Sequence, residues 1–133
     1  MTRVRDPIHD YIDLSSVEVK LVDTPAYQRL RWIKQLGPTN LVYPGANHTR
    51  HEHCMGTSHI VGKMADSVGL ESGDKQLASV AGLLHDIGHT AFSHLGDEID
   101  GVEDHVIRTT KIIAKTEISD ILSEEGIDSK EVN

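Results

Sequence analysis

The stretch SVAGLLHDIGHTAFSH, residues 79–94, decides how the chain folds. Its first half places apolar side chains at helical spacing, which favours an amphipathic helix. Its second half adds His85, Asp86, His89 and His94. Imidazoles and a carboxylate at the end of a buried helix are costly unless a partner compensates them. A divalent metal ion is the partner that this combination favours.

Outward from this stretch, the sequence predicts an all-α fold, a helical bundle with a short N-terminal β-hairpin. Polar and apolar residues alternate loosely near the N-terminus, so residues 1–22 are predicted to form a strand or hairpin segment. Residues 23–133 are predicted to form the helical core. Capping residues, glycines and prolines place its helices at about residues 23–36, 49–69, 74–88 and 103–122.

Composition limits the classes of protein that the chain can represent. Its 133 residues suit one domain, and a formal net charge of −8 argues against a general nucleic-acid-binding surface. We expect a cytoplasmic protein, because no apolar run approaches the ~20 residues of a membrane span and the N-terminus lacks a signal-peptide core. The single cysteine, Cys54, excludes an intrachain disulfide. Histidine is the outlier, with eight of nine between His48 and His105.

A metal site in this region needs ligands from more than one segment. His85 and Asp86 can converge on one ion if their helix ends there, and Gly88 is placed to help it end. A third ligand is expected from the segment HTRHEHCMGTSH, which offers His48, His51, His53 and His59. One alternative is that these are ordinary core or surface histidines. Another is a structural zinc site with Cys54, although the spacing differs from paired-ligand zinc knuckles.

Several motifs together resemble one family. HTRHEHCMG, LLHDIGHTAFSH, RDPIHDYIDL and DTPAYQRLRWIKQLG are similar, in the same order, to segments of the HD-domain phosphohydrolase superfamily. The similarity is strongest to its deoxynucleoside triphosphate triphosphohydrolase branch and extends from Arg3 to His105. This resemblance implies three metal ligands, which are His53, His85 and Asp86.

The resemblance also implies roles for other residues. The residues expected to take part in catalysis are His89, His94, Asp97 and His105. The residues expected to border the substrate are Arg50, Gln35 and Leu36. A regulatory guanine-nucleotide site at a subunit interface is implied by Asp23, Gln28 and Arg31, and with it a homo-oligomer. Without the resemblance, the basic run Arg29, Arg31 and Lys34 is an ordinary solvated helix face.

The sequence departs from the family pattern at two places. His51 replaces a phenylalanine, and we expect it to be either an extra ligand or exposed. The family's fourth metal ligand is an aspartate on a later helix, and neither Asp120 nor Asp128 lies in a convincing copy of that motif. We therefore expect the chain to be the N-terminal part of a longer HD protein, or a naturally short one.

The leading functional prediction is a metal-dependent nucleotide phosphohydrolase that converts dNTPs into deoxynucleoside and tripolyphosphate. Within it, His94 and Arg50 would neutralise phosphate charge, and His105 paired with Asp97 would protonate the leaving oxygen. The alternatives are an HD phosphodiesterase or nucleotidase, and a catalytically silent module for nucleotide binding or oligomerisation. Manganese, iron, nickel and zinc all suit the ligands, and magnesium can enter with the substrate phosphates.

Overall fold

The N-terminal segment forms the expected hairpin. The structure is a computed structural model that describes residues 2–132. Strand β1, Thr2–Asp6, pairs antiparallel with β2, Asp10–Leu14. At the turn, the Asp6 carboxylate accepts hydrogen bonds from two backbone N–H groups, each at 2.8 Å. The hairpin of the predicted fold class is therefore confirmed.

The rest of the described chain is mainly helical, which confirms the predicted all-α bundle. Its α-helices are α1 Ser16–Val22, α2 Pro25–Gln28, α3 Arg50–Ser67, α4 Ser72–Leu84, α5 His105–Lys115 and α6 Glu117–Glu124. Short 3₁₀ turns occupy Arg29–Trp32, Gly37–Leu41 and Ser93–Gly96. No helix among residues 2–132 is long and apolar enough to cross a membrane.

Three boundaries differ from the prediction. Helix α1 lies inside the segment predicted as hairpin, because Ser15 and Glu18 form a capping box that starts it. Thr24 caps α2 as expected, but α2 gives way to a 3₁₀ turn instead of reaching residue 36. The last predicted helix is two helices, because Thr116 adopts an extended backbone and caps α6.

The core fixes the segment that carries the histidine and aspartate pair. Helix α3 packs along α4, and Gly82 allows the close approach, since a Cβ there would lie 3.3 Å from the Val61 side chain. Leu83, Leu84 and Ile87 are fully buried on both sides of the pair. Burying each such side chain contributes roughly 1.5–3 kcal/mol, so the backbone here is firmly anchored.

Candidate active site

Helix α3 supplies the first part of the site. Thr49 caps it, and Thr49 and Glu52 form a capping box that fixes where the helix begins. Arg50 and His53 therefore lie about one turn apart at the start of α3 and project toward the same neighbours. Arg50 is only 2% exposed, whereas His53 is partly exposed.

The second part is the HD loop, which we define as residues 85–89. Helix α4 ends at Leu84, earlier than the predicted end near Gly88, and His85 is its C-terminal cap. The chain then turns, with the His89 N–H donating to the Asp86 carbonyl at 3.2 Å. Because the helix has ended, His85 and Asp86 can face one point although they are adjacent in sequence.

His53, His85 and Asp86 form the arrangement that we call the metal triad. The Nε2 atoms of His53 and His85 are 3.2 Å apart, and they lie 3.3 and 3.2 Å from Asp86 Oδ2. All three candidate ligand atoms fall within 4.8 Å of one another. Two imidazole nitrogens and a carboxylate oxygen are donors that divalent transition metals accept. The residues present therefore fit such an ion.

Protonation in the triad also favours a cation. The Nδ1 atom of His85 lies 2.8 Å from the Gly82 carbonyl, which can only accept, so Nδ1 carries a proton and the Nε2 atom faces Asp86 and His53. Burial raises the pKa of Asp86, but hydrogen bonds from His53, His85 and His89 outweigh it and lower the pKa. Asp86 therefore remains ionised.

A second group, which we call the histidine cluster, comprises His89, His94, Asp97 and His105. Its ligand-type atoms also lie within 4.8 Å of one another. The rings of His89 and His105 stack at 4.0 Å, and His94 meets both rings edge-on. His105 Nδ1 lies 2.7 Å from Asp97 Oδ2. The structure thus brings together all four residues for which a catalytic role was predicted.

The cluster combines an ionised carboxylate with an imidazole that favours its neutral form. Burial raises the pKa of Asp97, but hydrogen bonds from His105 and Arg108 and the charge of His105 lower it overall. Burial lowers the pKa of His89, which is completely buried. His94 is 71% exposed and accessible to an incoming anion.

Asp86 joins the two groups. Its Oδ2 faces the metal triad, while its Oδ1 lies 3.4 Å from His89 Nε2 in the histidine cluster. Arg50 donates to Oδ2 from the other side and also to the buried hydroxyl of Ser93. One carboxylate therefore contacts both groups and the buried arginine.

The residues predicted to border the substrate lie close to one another in the structure. The Gln35 carbonyl accepts from Ser93 Oγ at 2.7 Å and from Arg50 at 3.4 Å. Leu36 follows, with a side chain that is half exposed. Gln35 and His53 both line a cleft of about 620 Å³ between the hairpin turn and α3. This cleft gives a ligand a path to one metal-triad residue.

The predicted regulatory residues extend from the end of α1 to the 3₁₀ turn that follows α2. Gln28 donates to the Val22 carbonyl at 2.7 Å and accepts from Arg31 Nε at 2.7 Å. Asp23, the C-terminal cap of α1, is exposed. The structure places Gln28 between Arg31 and the end of α1, and the regulatory role remains a prediction.

One expectation about a side chain near the site is wrong, and one alternative is disfavoured. His51 is neither exposed nor in a metal-binding group of residues 2–132; it is buried against Tyr27, with ring centroids 5.3 Å apart. Burial and the nearby Arg31 charge lower its pKa to about 4. Cys54 is fully buried, and burial raises its thiol pKa to about 12, which disfavours a thiolate ligand.

Residues outside the predicted site also hold it in place, and the sequence patterns did not predict them. Arg29, expected on a solvated face, is half-buried and donates to the carbonyls of Ile87 and His89. Arg108 donates to the Gly88 carbonyl, and Ser93, which has a positive φ of 57°, accepts from Arg50. No simple spacing signals these contacts, because they join residues that are distant in sequence.

Known proteins contain a domain that matches the part of the chain in which these residues lie. The profile of the HD domain matches residues 50–131, which include the metal triad and the histidine cluster. The chain belongs to the HD-domain phosphohydrolases. A solved structure of a hypothetical protein from Aquifex aeolicus shares the fold with this HD-domain chain, with a TM-score of 0.81 and 38% identity. The match covers 93% of this chain and 33% of the Aquifex aeolicus chain.

Two curated relatives extend the comparison. An uncharacterized protein of Methanocaldococcus jannaschii is 42% identical over 98% of this chain and 30% of its own length. The human deoxynucleoside triphosphate triphosphohydrolase SAMHD1 is 41% identical over 73% of this chain and 17% of the human protein. The chain thus spans a third or less of the length of these relatives.

Proposed function

We propose that this HD-domain phosphohydrolase is a metal-dependent nucleotide phosphohydrolase that splits dNTPs into deoxynucleoside and tripolyphosphate. The observation that carries the proposal is Asp86, whose two oxygens face the metal triad and the histidine cluster. A cation site beside a cluster of proton donors suits hydrolysis of a phosphate ester. The activity in the name of human SAMHD1 supports the choice of substrate.

The metal triad would hold a divalent ion, of which manganese, iron, nickel and zinc suit the ligands and magnesium can accompany the substrate. When bound, such an ion supplies Lewis-acid chemistry that activates water and polarises a phosphoryl oxygen. His85 is orientated for this task by its Nδ1 contact with the Gly82 carbonyl. Asp86 supplies the negative charge that the two imidazoles lack.

In the proposed reaction, water adds to the α-phosphorus and the bond from that phosphorus to the 5′ oxygen breaks. The leaving oxygen then needs a proton. His105 is the candidate donor, because Asp97 engages its Nδ1 and leaves Nε2 free. His94 and Arg50 would offset charge on the phosphate oxygens, while Gln35 and Leu36 would border the deoxyribose.

The test is phosphorus-31 NMR of the protein incubated with mixed dNTPs and manganese. We expect signals of tripolyphosphate to appear together with free deoxynucleoside. Orthophosphate or pyrophosphate in its place would show that another bond breaks, as a nucleotidase or diesterase activity would require. Unchanged dNTPs, with metal bound, would contradict hydrolysis and support a nucleotide-binding or oligomerisation module.

A guanine-nucleotide effector is a further part of the proposal. Asp23, Gln28 and Arg31 would recognise GTP or dGTP at an interface between copies of the chain, making the protein a homo-oligomer. Light scattering and the rate of dNTP turnover, each measured with and without GTP, test it. An unchanged mass and an unchanged rate would remove the effector site but leave the proposed hydrolysis intact.

A further inference from the structure

Arg108 lies about one turn beyond His105 on α5 and points back toward the site. Its guanidinium donates through three nitrogen atoms. Nε reaches the Gly88 carbonyl at 2.7 Å, one terminal nitrogen reaches Asp97 Oδ1 at 3.0 Å, and the other reaches the Glu103 carbonyl. A planar guanidinium offers its donors in a fixed geometry, so these contacts constrain one another.

The three partners belong to three separate segments. Gly88 is in the HD loop, Asp97 follows the 3₁₀ turn after that loop, and Glu103 precedes Asp104, the N-cap of α5. His105 depends on all three segments. Its ring stacks on His89 of the HD loop, its Nδ1 bonds to Asp97, and its backbone begins α5.

This ion pair is shielded from solvent. The side chains of Arg108 and Asp97 are 18% and 13% exposed, and that of His105 is 20% exposed. By contrast, Lys111 on the same helix pairs with Glu103 while both side chains are almost half exposed. Exposed pairs contribute little to structure, whereas shielded and multiply bonded ones can hold a geometry.

We infer that Arg108 is a positioning residue that fixes the position of the Asp97 carboxylate relative to the HD loop and thereby orientates His105. Asp97 would use one oxygen for Arg108 and the other for His105, as the structure has them. Without Arg108, the carboxylate would lose the contact that fixes its rotation, and the His105 ring would lose its anchor. The effect on turnover rests on the proposed function; the effect on the hydrogen bond does not.

The deciding experiment is proton NMR of the resting protein, without substrate, for the imidazole Nδ1 proton that His105 shares with Asp97. A short bond to a carboxylate shifts such a proton downfield and protects it from exchange. His105→Gln assigns the signal by removing it. We expect Arg108→Met to abolish it, Arg108→Lys to weaken it, and the control Lys111→Met to leave it unchanged.

Circular dichroism and metal content accompany the NMR, so that an unfolded variant is recognised. In folded Arg108→Met we expect kcat to fall by about 10- to 100-fold with KM nearly unchanged, the loss common for residues that orientate a working group. Persistence of the proton in Arg108→Met, or its absence from the unaltered protein, would overturn the inference. Because this readout needs no substrate, it remains decisive even if dNTPs are not hydrolysed.

Discussion

The metal triad and the histidine cluster lie side by side but are held by different means. Two triad ligands come from the start of α3 and the cap of α4, helices that pack along each other over the core, and the third, Asp86, follows that cap in the HD loop. The cluster comes from the HD loop, a 3₁₀ turn and the start of α5, which are joined by side-chain contacts such as those of Arg108. Metal binding and proton transfer should therefore be separable by mutation.

The largest effect is expected where the two groups meet, at Asp86. Asp86→Asn removes the charge that the imidazoles share while keeping the shape of the side chain. We expect metal content and dNTP hydrolysis to fall together, with activity reduced roughly 10³-fold or more. Metal analysis and the NMR assay measure both quantities. Asp66→Asn, an exposed change on α3, should alter neither, and normal activity in Asp86→Asn would contradict the shared role.

The next largest effect is a loss of folding stability in acid, caused by His51 on α3. His51 is buried and its pKa is lowered to about 4, whereas unfolding restores a value near 6.5. The unfolded chain thus binds the proton first, so the stability is complete above pH 6.5 and is lost as the pH falls toward 4. The loss should be about 3 kcal/mol of unfolding free energy.

Urea unfolding at pH 7 and pH 4.5 measures this loss, and His51→Phe is the matched variant. A phenyl ring can pack against Tyr27 without titrating, so the variant should lose less stability on acidification than the unaltered protein. Equal losses in both proteins would show that other groups cause the acid sensitivity and that His51 is protonated in the folded state.

A smaller effect is expected where α5 meets the HD loop. A Cβ at Gly88 would lie 2.6 Å from Thr109 Oγ1 and even closer to the His105 carbonyl, which is backbone and cannot rotate away. Gly88→Ala should cost about 1–3 kcal/mol by overpacking and should displace His105. Thermal unfolding checks the stability, and kcat should fall more than metal content does.

Gly73→Ala is the control for this change, because a Cβ at Gly73 in α4 meets no atom within 4 Å. Alanine should stabilise that helix or leave it unaltered. If Gly88→Ala released the metal while its remaining activity per bound metal stayed normal, the division between triad and cluster would be wrong.

Sequence patterns predicted much of this architecture because their causes are local. Thr24 and Thr49 cap helices through their own side chains, and both helix starts were predicted. Helix α1 was missed although Ser15 and Glu18 form a capping box, since loose alternation near Ile8 and Tyr11 favoured a strand across the whole segment. The break at Thr116 was missed because apolar spacing continues through it.

The residues of the site likewise fall into those that sequence motifs predicted and those that they did not. The family motifs predicted His53, His85 and Asp86 as metal ligands. The structure brings these three residues together, and their role as ligands is still a prediction. Arg29 and Arg108 could not be found from spacing, because all their partners except the Asp97 carboxylate are backbone carbonyls. A carbonyl carries no signature in the amino-acid sequence.

The position of a bound metal distinguishes the two groups of residues, because both offer suitable ligand atoms. Manganese binding should be measured by titration in the unaltered protein, in His85→Ala and in His94→Ala. We predict one tight site that His85→Ala abolishes and that His94→Ala retains. Tight binding that survives in His85→Ala and disappears in His94→Ala would place the ion in the histidine cluster and contradict the assignment of the metal triad.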